Sequence, residues 1–336
     1  MDEEGLQRAF WEGCEGRSEQ PPRASTASGA CEGVEPSSGA GAPTEGDLLE
    51  AAQRTGTHRI RGGDCRDLSW VAGESVGLVL TSPPYFDLKE YARHEGQIGG
   101  AGASYGDFLD DLDRVWSGCH RALYPGGRMA VVVGDVLLAR RRNGGRHEVL
   151  PLHADITVRA RALGFECLTG FVWRKIGNAS HEVKRGAGGG SFLGKPYEPN
   201  AIVKAGMEYV LMFRKPGYRH PTERQRRLSR LSVEEQRTTF SQVWEDIPGE
   251  SGVNHPAPFP ERLARRIIRG FSFYADTVLD PFAGSGTTGR AAVREDRDSV
   301  SVELEKSYAD LAYGRILEVA REEGGLFRQE AMVERE

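Results

Sequence analysis

The stretch Leu279-Asp280-Pro281-Phe282-Ala283-Gly284-Ser285-Gly286-Thr287-Thr288-Gly289 constrains this chain more than any other. It follows a short apolar strand pattern, Thr277-Val-Leu279, and leads into a helix pattern from Thr287, with Gly284, Gly286 and Gly289 in GxGxxG spacing. Glycines there let the backbone turn tightly and approach a ligand, and the helix that follows offers unpaired N–H groups. Glu303 lies 19 positions after Gly284, at the end of the next strand pattern (Ser299–Val302), where a carboxylate can accept bonds from ribose hydroxyls. The pattern fits several nucleoside-containing cofactors. It excludes a Walker-type phosphate loop, since no Lys precedes Thr287 or Thr288.

The rest of the chain supplies partners for such a unit. Val76-Gly-Leu-Val-Leu-Thr81 is a continuous apolar run of the kind buried on both faces of a parallel sheet. Apolar residues from Tyr105 to Leu123 fall at helical spacing, Tyr124-Pro-Gly-Gly127 stops that helix, and Arg128–Val133 reads as a strand. A helix at Leu152–Leu163, strands at Phe165–Trp173 and Met207–Phe213, a helix at Pro260–Phe271 and a final helix from Lys306 continue the alternation, which predicts a doubly wound, mostly parallel α/β sheet.

Residues 13–46 are nearly all Gly, Ala, Ser, Pro, Glu and Thr, too poor in apolar surface to offset their ordering entropy, so residues 1–57 are expected to be a disordered arm. The folded region is placed at 58–320, with a charged tail at 321–336. Within it, 177–250 is set apart as an insertion. It begins with a Gly-rich loop, Gly177 to Asn200, and continues into a basic stretch whose seven cations (Arg214, Lys215, Arg219, Arg224, Arg226, Arg227 and Arg230) have Glu223 as their only acid nearby in sequence. Five cysteines without a CxxC pair argue against a disulfide scaffold and a structural zinc site, and no metal is expected. No apolar run approaches the roughly 20 residues a membrane helix needs, and the acidic start Met1-Asp2-Glu3-Glu4 is unlike a secretory signal, so a cytoplasmic protein is expected.

Thr81-Ser82-Pro83-Pro84-Tyr85 ends the buried strand at a carboxyl edge of the sheet, where open α/β sheets bind ligands. Successive prolines fix φ and remove two N–H donors, leaving rigid carbonyls. An exocyclic amine on a nucleobase is a poor nucleophile because its lone pair is conjugated. If the Ser82 hydroxyl and the Pro83 carbonyl each accept one of its N–H bonds, the nitrogen is drawn toward tetrahedral geometry, and Tyr85 can stack on the same base once it is flipped out.

Taken together, TSPPY followed about 200 residues later by LDPFAGSGTT resembles the DNA amino-methyltransferases that use S-adenosylmethionine, in the permuted (beta) class whose catalytic motif precedes the cofactor motif. The resemblance covers roughly His58 to Gly314. It implies a Rossmann-like methyltransferase fold, S-adenosyl-L-methionine as cofactor, double-stranded DNA as partner and room for a cognate restriction endonuclease. Ser rather than Asp at position 82 implies N4 of cytosine as the target. The resemblance also implies roles for single residues: Ser82, Pro83, Pro84 and Tyr85 in catalysis, and Asp64, Cys65, Asp280, Phe282, Gly284, Gly286, Thr287 and Glu303 around the cofactor. Asp64 and Cys65 would sit at the adenine ring, Asp280 at the methionine amine, and Glu303 at the ribose. Asn254–Pro260 resembles the segment that closes over the methionine end, and 177–250 falls where the class keeps its target-recognition segment. There the basic stretch would contact phosphates. N6-adenine is the alternative target. A nicotinamide-dependent dehydrogenase built on GxGxxG alone leaves Ser82–Tyr85 without a purpose.

Overall fold

The computed structural model describes residues 41–86, 96–100, 102–138, 143–175, 206–249 and 259–323, and the backbone of three short strands beyond them. In chain order the elements are α1 (Glu45–Gln53), β1 (Thr57–Gly62), β2 (Val76–Thr81), α2 (Tyr105–Ala122), β3 (Leu123–Val133), β4 (Val136–Leu138), β5 (Glu148–Leu150), α3 (Leu152–Ala162), β6 (Glu166–Arg174), β7 (Phe192–Leu193), β8 (Ile202–Val203), β9 (Met207–Arg214), α4 (Glu223–Leu228), α5 (Val233–Thr239), β10 (Val243–Trp244), α6 (Glu261–Phe271), β11 (Thr277–Asp280), α7 (Thr287–Arg294), β12 (Asp298–Glu303), α8 (Lys306–Glu323) and β13 (Met332–Arg335). Nine strands form one sheet in the order β10-β6-β9-β3-β2-β11-β12-β1-β13. All neighbours run parallel except β9, which is antiparallel to both β3 and β6. This is the mostly parallel α/β architecture that the alternation of patterns predicts.

Every residue of β2 is buried, because helices cover both faces of the central sheet. The period of two divides the core. On one face Met129, Val131 and Val133 of β3 and Phe213 of β9 join Phe108, Leu112, Val115, Trp116 and Cys119 of α2. On the other, Ala130, Val132, Val210 and Met212 meet Leu263, Ala264, Ile267 and Ile268 of α6. Ser104 caps α2 in a reciprocal box with Asp107, fixing where that helix starts. Trp116, on the core-facing side of the same helix, is fully buried, so Trp116→Ala would cost about 3–5 kcal/mol.

Three boundaries differ from the sequence expectation. The chain is ordered before residue 58: Thr44 and Asp47 form a capping box that starts α1, and the Asp47 carboxylate also takes Arg227 at 2.7 Å. The first 40 residues lie outside the described residues. At the other end, the expected tail carries β13, which pairs with β1 and extends the sheet. The segment 177–250 is not a separate insertion throughout, because β9 sits in the sheet between β3 and β6, and β10 continues the sheet beyond β6. Its Gly-rich part lies outside the described residues apart from the backbone pairing of β7 with β8.

The reversal of β9 has an electrostatic consequence. Tyr209 pairs with Val133 at the carboxyl end of β3 and Arg214 with Arg128 near its start, so the chain leaves β9 at the amino edge of the parallel strands. The basic stretch therefore lies opposite the edge that carries Ser82 and Glu303. Acids from distant parts of the sequence meet it there. Arg214 pairs with Glu166 at 2.6 Å, Lys215 with Glu74 at 3.5 Å, Arg226 with Glu223 at 3.7 Å and Arg227 with Asp47; Arg219 pairs with Asp276, and Arg224 with Glu50. Six of the seven are held in ion pairs, most of them with side chains that the linear sequence keeps far away.

Candidate active site

Four adjacent strands, β2, β11, β12 and β1, end at the same edge, and their loops enclose one cavity. Ser82, Pro83, Pro84 and Tyr85 after β2, Phe282, Gly284 and Thr287 after β11, Glu303 at the end of β12, and Asp64 and Cys65 after β1 all line it. The cavity opens to solvent, and its empty space, open mouth included, is about 960 Å³. Asp280 and Gly286 stand outside the lining. Asn254–Pro258 lies outside the described residues, while Phe259, from the same segment, forms part of the wall.

Asp280, expected at the methionine amine, stands just outside the cavity lining. It is 1% exposed and accepts the Thr81 hydroxyl at 2.6 Å and the Phe282 N–H at 3.0 Å. Burial raises its carboxyl, while hydroxyls of Thr288 and Thr81 and the Phe282 amide oppose the rise. The side chain thus ties the residue just before Ser82 to the glycine-rich turn, fixing one loop against the other. Gly286 serves the same turn from behind: its φ is 81°, and a Cβ there would lie 2.9 Å from Cα of Ala312 in α8. A Cβ at Gly289 would meet Ile316 Cδ1 at 2.3 Å. These two glycines let α7 pack closely on α8, so the spacing that reads as ligand approach is in part helix packing.

Glu303 joins three of the loops. Its carboxylate accepts the Gly284 N–H at 2.7 Å and the Glu305 N–H at 3.0 Å, and its carbonyl accepts the Gly63 N–H at 2.9 Å. Burial raises its carboxyl above the ordinary value, with the two amides pulling the other way. A carboxylate has about four lone-pair sites, so two remain for a ligand's hydroxyls. At Asp64 burial works to raise the carboxyl, and Arg66 outweighs it and leaves the group below its usual range. Arg66 bonds Asp64 through Nε at 2.9 Å, reaches Asp111 at 2.8 Å and donates to the Gly96 carbonyl at 3.1 Å. Burial pushes the Cys65 thiol well up, so it meets the cavity as a neutral wall group.

Tyr85 is 8% exposed and belongs to the apolar cluster that includes Phe108 and Val133. A Cβ built on Gly134 would lie 3.5 Å from its ring, so the carboxyl end of β3 forms the side of this corner. Sequence reading missed Ile98 and Tyr308, which also line the cavity. Tyr308 follows Glu303 by five residues in the first turn of α8, an aromatic close to an already suspected carboxylate. Ile98 carries no comparable signal, because only the return of the chain after Tyr85 brings it back.

An S-adenosyl-L-methionine molecule fits these residues by chemistry. Free lone pairs on Glu303 suit ribose hydroxyls, backbone at Gly284 to Thr287 borders the start of α7, and carboxylates complement a sulfonium charge.

Comparison with known proteins gives the same picture. Residues 76–314 match the family model described as DNA methylase of the N6/N4 type. The type II methyltransferase M.MjaI of Methanocaldococcus jannaschii is 33% identical over 283 residues, 75% of this chain and 89% of that protein. The DNA adenine methyltransferase YhdJ of Escherichia coli is 28% identical over 269 residues, covering 76% and 81%. Among solved structures, TTHA0409 of Thermus thermophilus, a candidate DNA modification methylase in complex with S-adenosyl-L-methionine, is 48% identical, with a TM-score of 0.66 over 82% of this chain and 98% of that one. The PvuII cytosine-N4-specific methyltransferase shares the fold at 20% identity, with a TM-score of 0.58 and coverage of 84% and 96%.

Proposed function

The chain belongs to the N6/N4 DNA methylase family, site-specific methyltransferases that use S-adenosyl-L-methionine, and on that premise we propose that it methylates the exocyclic N4 of cytosine in duplex DNA after base flipping. The observation that supports this reading is the single cavity lined by both the Ser82–Tyr85 turn and the Gly284–Thr287 turn. The bound cofactor supplies an electrophilic methyl group on a sulfonium. Ser82 and the Pro83 carbonyl hold the amine by its two N–H bonds and aim the nitrogen lone pair across the cavity, and Tyr85 stacks on the extruded ring. Asp280 and Thr81 keep the Ser82 turn in register with the cofactor loop. Asp64, Cys65, Phe282, Gly284, Thr287 and Glu303 form the cofactor wall. After transfer the extra amine proton leaves through the Ser82 hydroxyl or directly to solvent. No covalent enzyme intermediate forms, since none of the five cysteines follows a proline as a nucleophile in a Pro-Cys motif.

Ser82, with no carboxylate at that position, favours cytosine, and a cognate restriction endonuclease is the partner such a modification enzyme would protect against. The test is single-molecule sequencing of DNA from a methylation-free host that expresses the protein. N4-methylcytosine in one short sequence is expected. N6-methyladenine, the product that the name of YhdJ suggests, would overturn the choice of base and leave the family standing.

A further inference from the structure

The order of strand ends gives a bound cofactor its direction. β2, β11, β12 and β1 are consecutive in the sheet, so Glu303 at the end of β12 stands between the glycine-rich turn after β11 and Asp64 after β1. Ser82, after β2, lies one strand beyond the glycine-rich turn. A nucleoside whose ribose is held by Glu303 and whose sulfonium faces Ser82 therefore lays its base toward the end of β1, where Asp64 and Cys65 line the cavity.

At that end Asp64 has little left for a ligand. Its carboxylate accepts the Arg66 backbone N–H at 2.9 Å, Arg66 Nε at 2.9 Å and Arg66 Nη2 at 2.5 Å. Of about four lone-pair sites on a carboxylate, three are taken by one residue. The same guanidinium brings a second segment to this end, because Nη2 also donates to the Gly96 carbonyl at 3.1 Å while Nη1 holds Asp111 of α2 at 2.8 Å. Its planar fork fixes these directions together. Two residues on, Ile98 is 5% exposed in the apolar cluster that contains Cys65 and Tyr85. A Cβ on Gly99 would lie 3.2 Å from Cα of Phe86, so the segment runs from Asp64 back toward the catalytic turn. Gln97 stands between these anchors and lines the cavity. Its backbone carbonyl accepts the Gly100 N–H at 3.2 Å, whereas its carboxamide bonds none of the described residues.

We propose that Gln97 reads the adenine ring of the cofactor, its carboxamide oxygen accepting a 6-amino N–H and its NH₂ donating to the adjacent ring nitrogen. A carboxamide carries both a donor and an acceptor, and adenine is the base that a glutamine meets with two bonds. Arg66 is a positioning residue that acts through Gly96. The proposal rests on the methyl-transfer reading above and deepens it by naming a residue that selects the cofactor's base.

The experiment is calorimetric binding of two compounds to the full chain: S-adenosyl-L-homocysteine, and its analogue with hydrogen in place of the 6-amino group. Wild type is expected to prefer the adenine compound by about tenfold, the effect of one hydrogen bond. Gln97→Met keeps the length of the side chain and loses both bonds. It should bind the adenine compound roughly 10- to 100-fold more weakly than wild type, and the two compounds within about threefold of each other. Arg66→Lys keeps the charge without the fork and should shrink the preference as well. A Gln97→Met variant with the wild-type preference overturns the assignment. So does one that binds both compounds as wild type does but holds the target duplex more weakly, a result that turns Gln97 toward the extruded base. An Arg66→Lys variant with the wild-type preference overturns the part given to Arg66. A wild type that binds neither compound overturns the methyl-transfer reading itself.

Discussion

The two edges of the central sheet carry opposite kinds of chemistry, although the sequence makes them look alike in charge. At the carboxyl edge, carboxylates at Asp64 and Glu303 border an open cavity, and the loops around them are joined by backbone amides and hydroxyls. At the amino edge the basic stretch from Arg214 to Arg230 is matched with acids from α1, β6 and the turn before β11. Solvent-exposed pairs of this kind contribute little stability. Their effect here is to offset locally the positive charge of the stretch. Local density of charge in a sequence therefore indicates a binding face only after long-range partners are counted.

The largest contrast is expected from Ser82→Ala. Removing one hydroxyl that orients the reacting amine should lower turnover by about 100- to 1000-fold, with cofactor affinity by calorimetry unchanged. Equal losses in turnover and cofactor binding would mean that the turn is structural. Glu303→Ala should weaken cofactor binding by roughly 10- to 100-fold, since hydrogen bonds to a charged group contribute about 1.5–3 kcal/mol. Because burial raises the Glu303 carboxyl, the acceptor is lost as pH falls through a midpoint above its ordinary value of 4.5. Cofactor affinity should fall on the acid side of that midpoint in wild type, and Glu303→Gln should flatten the profile.

Protonation at the amino edge should act on stability alone. His58, 2% exposed and bonded to Ser299 at 2.9 Å, has its imidazole pushed down to about 4 by burial. The folded state thus holds it neutral, and stability present above pH 6.5 is lost as pH falls toward 4, by up to about 3 kcal/mol. Denaturant titrations from pH 7 to 4 should show this loss, and His58→Gln should reduce it while leaving the cofactor profile in place. The smallest effect is expected from Arg224→Gln with Arg226→Gln and Arg227→Gln. DNA affinity and its salt slope should match wild type, while amide exchange in α1 should quicken because Glu50 and Asp47 lose their partners. A flattened salt slope in that variant would move the DNA-binding face to the amino edge and erase the contrast.

Much of the fold was legible because burial on both faces leaves a strong mark. The runs at Val76–Thr81 and Thr277–Leu279 and the helical spacing of Phe108, Leu112, Val115 and Cys119 lie within the observed elements. Of the twelve expected site residues, ten line one cavity, because strand ends of a parallel sheet necessarily share an edge. What was not legible depended on contacts distant in sequence. The reversal of β9 leaves no trace in the composition of Met207–Arg214, yet it decides where every following arginine lies. α1 is short and polar, and its order is secured by a capping box and by ion pairs to α4. The bond from the Thr81 hydroxyl to Asp280 was not legible either, because it depends on both residues sitting at the ends of neighbouring buried strands.

The most direct measurement of where the base is received is photocrosslinking with 5-iodocytosine placed at the methylated position of the target duplex, followed by mapping of the linked peptide. Attachment to Tyr85 is the result this account predicts. Attachment within residues 219–230 at the amino edge would contradict it.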